Sequence, residues 1–266
     1  MSIEEVKKFI IDGSYAKLKH EEEKLKLLKN LIRNEQDRLN NKRMLWRKHG
    51  VIGEFVTNKL YEYDRMELNE FLYNLGILPI ISNIDSDLLT IEELQIIKPF
   101  QTKGEKYIRF TPNKVGKTAG INPVTFYENI NEMPLANIVA LWKRTFLETE
   151  FLRKAWKSKR KLAAGASFNS VSFELGTITL LEKPGRYKSN TVFDLLTKET
   201  LLKCSVVDLQ RIVEFTAKGF LKMSELNKIR KITDIQRKYF LMTLEKEQSK
   251  RMYWKSKLEE ISKLSL

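Results

Sequence analysis

Between Tyr15 and Lys48 the chain carries neither proline nor glycine, and Leu18, Leu25, Ile32, Leu39 and Trp46 recur at every seventh position, with Leu28 beside them. That spacing holds apolar side chains on one face of an α-helix, so it predicts one long helix. A two-sided coiled-coil seam needs a second apolar column, and Glu21, Glu35 and Lys42 stand where that column would run. The stripe is therefore narrow. It has two natural covers, the chain's own C-terminal helix or a second copy.

Charge supplies the next constraint. The 266 residues hold 48 Lys and Arg against 34 Asp and Glu, a net charge of +14, with a pI near 9.6. The surplus is uneven: +5 over residues 1–50, −6 over 51–100, +2 over 101–150, +6 over 151–200 and +7 over 201–266. Such a chain favours polyanions as partners, with anionic membrane surfaces and acidic proteins as the other classes. Hydrophobic residues make up 42%, enough for a real core. The opening MSIEEVKKFI has no apolar stretch of signal-peptide length, and apolar runs elsewhere fall short of a membrane span. Cys204 is the only cysteine, which excludes an intramolecular disulfide and leaves no cluster with metal-ligand spacing. The expectation is a soluble protein of a reducing compartment, cytoplasmic or associated with a nucleoid or virion, and not spanning a membrane.

Further along, Glu54 to Leu75 reads as one or two helices stopped by Gly76 and Pro79. Thr90 with Glu93 forms a capping box opening a short helix. Phe100 to Pro134 reads as loop, with a strand at Lys106–Phe110. Pro134 then suits the start of a long helix, because Leu135, Ile138, Val139, Trp142, Phe146, Leu152 and Trp156 keep helical spacing up to Gly165. Val171, Phe173 and Leu175 alternate with polar residues, Ile178 and Leu180 continue and Pro184-Gly185 marks a turn, which predicts a β-hairpin or a bent strand, with the Phe110 strand as a candidate neighbour. Ser205 with Asp208 caps a helix reaching Gly219, and Ser224 opens a last helix toward the C-terminus. The fold class expected is mainly α, with long N- and C-terminal helices, a long central helix and a small antiparallel β element. As one composite domain it divides into a basic N-terminal helix (1–50), an acidic helical segment (51–100), a central helix with loops and β element (101–190) and basic C-terminal helices (191–266).

Candidate functional residues follow from charge beside aromatics. Each of the four tryptophans precedes a base, and Lys42-Arg43-Met44-Leu45-Trp46-Arg47 resembles Lys250-Arg251-Met252-Tyr253-Trp254-Lys255, as a distant internal duplication would. The densest cluster is Arg153, Lys154, Lys157, Lys159, Arg160 and Lys161 around Trp156, at the end of the central helix. Bases spread around a helix meet several phosphates and release their counterions. An exposed Trp156 would stack on an unpaired base. The alternative is structural: cations suit a helix C-terminus, and Trp156 falls on the apolar stripe. Lys42, Arg43, Arg47 and Lys48 with Arg237, Lys238, Lys250, Arg251, Lys255 and Lys257 would form a second stripe if the terminal helices pair antiparallel, or else a solvated polar face. Lys183, Arg186 and Lys188 surround the Pro-Gly turn.

Signals for catalysis are weak. Val115-Gly116-Lys117-Thr118 lacks the earlier glycine of a phosphate loop, since position 111 is Thr111, and Pro123 interrupts the required helix. His20 and His49 have no partners at metal-ligand spacing. Glu174 and Glu182 beside Lys183 are the only carboxylate set worth weighing for metal-dependent chemistry. Cys204 beside Lys203 is either a thiol with a lowered pKa or a small buried apolar residue. No catalytic, metal or cofactor site is expected. The sequence predicts a non-enzymatic protein that contacts the phosphate backbone of DNA or RNA through basic helices, largely without sequence readout. The alternative is a helical adaptor or assembly subunit whose terminal helices oligomerise or bind a protein partner.

Overall fold

The computed structural model describes residues 3–118 and 130–264. Pro123, with residues 119–129 of the expected loop, lies outside them. The helices are α1 (Ile3–Ile11), α2 (Ser14–Arg38), α3 (Arg65–Asn74), α4 (Leu78–Ile81), α5 (Ile91–Ile97), α6 (Lys114–Thr118), α7 (Leu135–Ala163), α8 (Ser189–Val192), α9 (Lys198–Cys204), α10 (Leu209–Ala217), α11 (Met223–Ile229) and α12 (Leu244–Leu264). The strands are β1 (Arg43–Trp46), β2 (Val51–Tyr63), β3 (Ser82–Ile84), β4 (Lys106–Pro112), β5 (Ser170–Phe173), β6 (Gly176–Glu182), β7 (Tyr187–Lys188), β8 (Ser205–Val207) and β9 (Arg230–Thr243). Among the described residues helix makes up 60% and strand 24%, so the fold is mainly α but its β-structure is more than a small element.

The chain divides into two compact units, Met1–Val56 with Lys106–Lys183 and Lys238–Gln248, and Thr57–Glu105 with Pro184–Arg237 and Ser249–Leu266. The first unit carries 28 bases against 17 acids and the second 20 against 17, so most of the surplus charge belongs to the first.

In the first unit α2 packs along α7, burying Leu28 and Ile32 with Val139 and Trp142 in a core that also holds Val51, Phe55 and Tyr239. The narrow stripe of α2 is thus covered by the central helix, not by the C-terminal helix. A second cluster joins Val6 and Ile10 of α1 to Ile108, Phe110 and Ile178 of the sheet β4-β6-β5. Phe110 pairs with Ile178 across β4 and β6, and Val171 with Ile178 across β5 and β6, so the expected hairpin and its third strand are present. Its tight turn falls at Glu174-Leu175, ahead of the predicted Pro184-Gly185.

Three helix expectations are corrected. The N-terminal helix stops at Arg38, not Lys48. Asn40 takes a positive φ of 50°, which Asn tolerates better than most residues, and the Gln36 amide donates to the carbonyls of Asn41 (2.9 Å) and Gly53 (3.1 Å), fixing the reversal. Arg43–Trp46 then pairs antiparallel with Val51–Glu54. Residues 51–63 form a strand because Val51, Ile52, Phe55, Val56, Tyr61 and Tyr63 are β-branched or aromatic; only Arg65–Asn74 is helical. The final helix is interrupted by the 14-residue strand β9, a hydrogen-bonded neighbour of β2.

In the second unit α3, α4, α9, α10 and α11 enclose Leu68, Leu72, Leu78, Ile81, Leu202, Ile212, Leu221 and Leu226. A neighbouring cluster contains Ile84, Ile97, Tyr187, Leu201 and Cys204 beside the sheet β7-β3-β8. Thr90 and Glu93 make the predicted capping box. Gly76 follows α3 with φ 69°, as the glycine-then-proline stop requires. The cap of α10 is Asp208, which accepts from the Gln210 amide; Ser205 lies in β8 and is buried. Among the described residues no helix is long and apolar enough to cross a membrane.

Candidate nucleic-acid interface

Helix α7 follows Pro134, as the sequence predicts, and runs for 29 residues. Its two faces divide the predicted cluster. On the inward face Trp156 stacks on Phe9 of α1, with centroids 5.5 Å apart, and meets Tyr15 of α2 at 5.0 Å. Arg160 lies over the same indole at 5.8 Å. Lys159 pairs with Glu5 of α1 at 2.6 Å, while Arg153 pairs with Glu22 of α2 at 2.9 Å and Glu150 at 3.5 Å. Lys17 of α2 returns a pair to Glu148. These contacts hold α1 and α2 on α7. The Lys159 hydrogen bond lowers the Glu5 pKa; at Glu22 burial opposes the charge, but hydrogen bonds from Lys19 and Arg153 prevail and its pKa falls as well. Trp156 thus packs against α1 and α2 with Arg160 over its ring, while Arg153 and Lys159 pair with carboxylates of those helices, Arg153 remaining exposed.

Lys154, Lys157 and Lys161 are exposed and without an ion pair among the described residues; Lys154 and Lys161 lie on the side away from Trp156, and Lys157 on the flank about 100° from it. Arg144 joins Lys154 and Lys161 on the side away from Trp156. Between them Phe151 is 72% exposed, flanked along the helix by exposed Leu147 and Leu162. The sequence reading missed Arg144 and Phe151. Their signal is the helical angle: at 100° per residue, 144, 147, 151, 154, 158 and 161 cluster on the side opposite Trp142, Thr149 and Trp156.

The other predicted groups lie on several elements and divide between the two units. Lys42 and Arg43 lie at β1, and Arg47 and Lys48 in the 3-10 turn that follows it, all exposed. Arg43 pairs with Glu247 of α12 at 2.7 Å. Lys250, Arg251 and Lys255 are exposed on α12, where Lys255 reaches Glu259 at 3.9 Å. The first group is not on a terminal helix, contrary to the expectation. Lys183 ends the first unit, whereas Arg186 and Lys188 belong to the second. The Arg186 backbone bridges to Thr102, and its side chain is exposed.

The weighed alternatives resolve in structural terms. Gly116 lies in the single turn of α6, its amide donating to Asn113 Oδ1 at 2.8 Å, and a Cβ there would meet the Leu175 carbonyl. Glu174 sits in the turn before β6 and Glu182 at the far end of that strand, roughly 20 Å of strand rise away. Among the described residues no group of three or more His, Cys, Asp or Glu is placed to hold a metal ion. Cys204 is buried, and burial pushes its thiol pKa up, the reverse of activation. Comparison with protein-family models, curated protein sequences and solved structures yields no match.

Proposed function

We propose that the protein binds the phosphate backbone of nucleic acid, without a catalytic step and largely without sequence readout, through the outward face of α7. The observation that carries this reading is the division of α7 itself. The bases that have carboxylate partners on other helices meet α1 and α2, whereas Arg144, Lys154 and Lys161 face outward around an exposed Phe151, with Lys157 exposed on the flank. A surface of that kind neutralises several phosphates, and its ring offers a stacking platform to an unpaired base. Lys42, Arg47 and Lys48 add positive charge to the same unit.

Binding of random-sequence DNA and RNA at rising salt tests it. Replacing Arg144, Lys154, Lys157 and Lys161 by Gln should reduce the slope of log affinity against log salt by about 3. An unchanged slope, or no binding of either polymer near micromolar protein at low salt, ends the reading.

A second reading rests on α12, where Met252, Tyr253, Trp254 and Leu258 are all more than half exposed. Trp254 and Leu258 share a helix face by spacing, as a stripe awaiting a second copy of the chain would. Light scattering separates the two: a dimer that Trp254→Ser dissolves supports assembly, and a strict monomer removes it.

A further inference from the structure

In the second unit Ser82 and Ile84 of β3 are buried, so Asn83 between them lies on the opposite face of the sheet β7-β3-β8, directly across from exposed Lys188 of β7. This pair lines a cleft of about 430 Å³ together with Asn190 of α8, Asp208 and Arg211 at the start of α10, and Ile80 of α4, which is 52% exposed. All six residues belong to the same unit. Lys188 is the member of the basic group around Pro184-Gly185 that the structure brings to a cavity.

Its donors are accessible and uncommitted. Lys188, Asn190 and Arg211 are exposed and Asn83 is half-buried. Among the described residues the Lys188 ammonium and the two carboxamides have no hydrogen bond or ion pair. Arg211 donates from Nη1 to the Ile80 carbonyl, which fixes the guanidinium beside the cleft and leaves its Nε and Nη2 hydrogens to donate. Asp208 supplies the opposing charge, but its Oδ1 accepts from the Gln210 amide at 2.9 Å as the cap of α10. Two cations against one carboxylate leave the lining net positive, and the cations repel until an anion joins them. A phosphate monoester carries a charge of about −1.5 to −2 and three terminal oxygens, so it neutralises both cations and accepts from the guanidinium and the carboxamides. The volume lies within the range of small-ligand sites and exceeds what a bare ion fills, so the phosphate carries an organic body against Ile80.

We infer that this cleft binds a phosphate monoester, with Lys188 and Arg211 meeting its oxygens and Asn83 and Asn190 completing the donor set. The phosphate belongs either to the 5′ end of a nucleic-acid strand or to a free phosphorylated small molecule. The inference goes beyond the α7 reading and uses none of its residues.

The test is calorimetric titration of the full chain, carrying the four Gln substitutions of α7, with ribose 5-phosphate and with octamers bearing a 5′-phosphate or a 5′-hydroxyl. Saturable binding of a phosphorylated probe at about millimolar concentration or below is expected. Lys188→Gln removes a side chain that bonds nothing in the fold, so the melting temperature should hold while affinity falls about tenfold. Asp208→Asn keeps a capping side chain and removes the opposing charge, so it should tighten binding about threefold. A 5′-phosphorylated octamer that binds more than about tenfold tighter than both its 5′-hydroxyl counterpart and ribose 5-phosphate identifies a strand end as the source; saturable ribose 5-phosphate binding that the octamer does not exceed identifies a small molecule. Failure of both phosphorylated probes to saturate, or full affinity retained by Lys188→Gln, overturns the inference. Acetate binding as tightly as ribose 5-phosphate overturns it in favour of a carboxylate ligand. Because the outward bases of α7 are absent from this chain, the result is independent of the α7 reading.

Discussion

Trp156 of α7 stacks on Phe9 of α1 with ring centroids 5.5 Å apart and planes 24° from parallel. The residue most suited by its neighbours to read a base is instead the anchor of the N-terminal helix. Trp156→Ala should therefore lower the unfolding free energy by about 2–4 kcal/mol, the range for truncating a large, partly buried aromatic. Its salt dependence of nucleic-acid binding should stay that of the native chain. Urea denaturation and mobility shift on the same preparation check both halves, and a change in salt slope without loss of stability would contradict the assignment.

Phe151, about three turns from the same helix end, is the converse case. Exposed as it is, Phe151→Ala should change stability by no more than about 0.5 kcal/mol. If the ring is a stacking platform, affinity for single-stranded DNA should fall by about 1–3 kcal/mol while duplex affinity changes much less. Fluorescence anisotropy with matched single- and double-stranded oligonucleotides reads the difference; equal losses would leave Phe151 without a stacking role.

The division between these two aromatics was only half legible in the sequence. Helical spacing shows that Trp156 lies on the apolar stripe, and that α7 ends in a run of bases. Which bases carry charge outward depends on Glu5 and Glu22, more than 130 positions away in the chain, and no local pattern contains that pairing. Counting bases along the chain does not show that Arg153 and Lys159 have carboxylate partners on other helices.

Gln36 is fully buried and works as a junction. Its amide donates to two backbone carbonyls, and its Oε1 accepts from the Tyr239 hydroxyl at 3.0 Å. Burial raises the Tyr239 pKa above its ordinary value of 10.0. A raised folded-state value means the neutral phenol's contribution is present below pH 10 and is lost as pH rises beyond it. Tyr239→Phe should cost about 1–2 kcal/mol at neutral pH by leaving Gln36 Oε1 unpaired, and should remove part of the alkaline decline. Gly53→Ala should be more damaging, since its Cβ would collide with both the Tyr239 hydroxyl and Gln36 Oε1. Thermal melts between pH 7 and about pH 11 test the set.

The Gln36 junction also explains why the similar hexapeptides 42–47 and 250–255 gave no guide to structure. The first lies after the Asn40 reversal and forms β1 with its adjoining turn; the second lies within α12. Their shared residues tolerate both states, and what decides is β2, which offers residues 43–46 an antiparallel partner. Strand pairing is non-local, so β1, β2 and β9 were read as helix, while the locally encoded signals, the Thr90–Glu93 capping box, Gly76 before Pro79, and Pro134 before α7, were read correctly.

Acid should loosen the contact of α1 and α2 with α7. Glu5 is lowered below its ordinary value of 4.5 first by its hydrogen bond to Lys159; Glu22, despite burial, is lowered by Lys19 and Arg153. A carboxylate whose folded pKa is depressed stabilises above its unfolded value, and that contribution disappears as pH falls through the folded one. The melting temperature should thus decline as pH drops below about 4.5, with α1 separating early because Lys159–Glu5 tethers it. Glu5→Gln with Glu22→Gln should start less stable at pH 7 and lose less on acidification. Melts monitored by Trp156 fluorescence in a background with the other three tryptophans replaced by Phe would follow this contact directly. Parallel acid profiles for wild type and the double variant would show that other carboxylates control the transition.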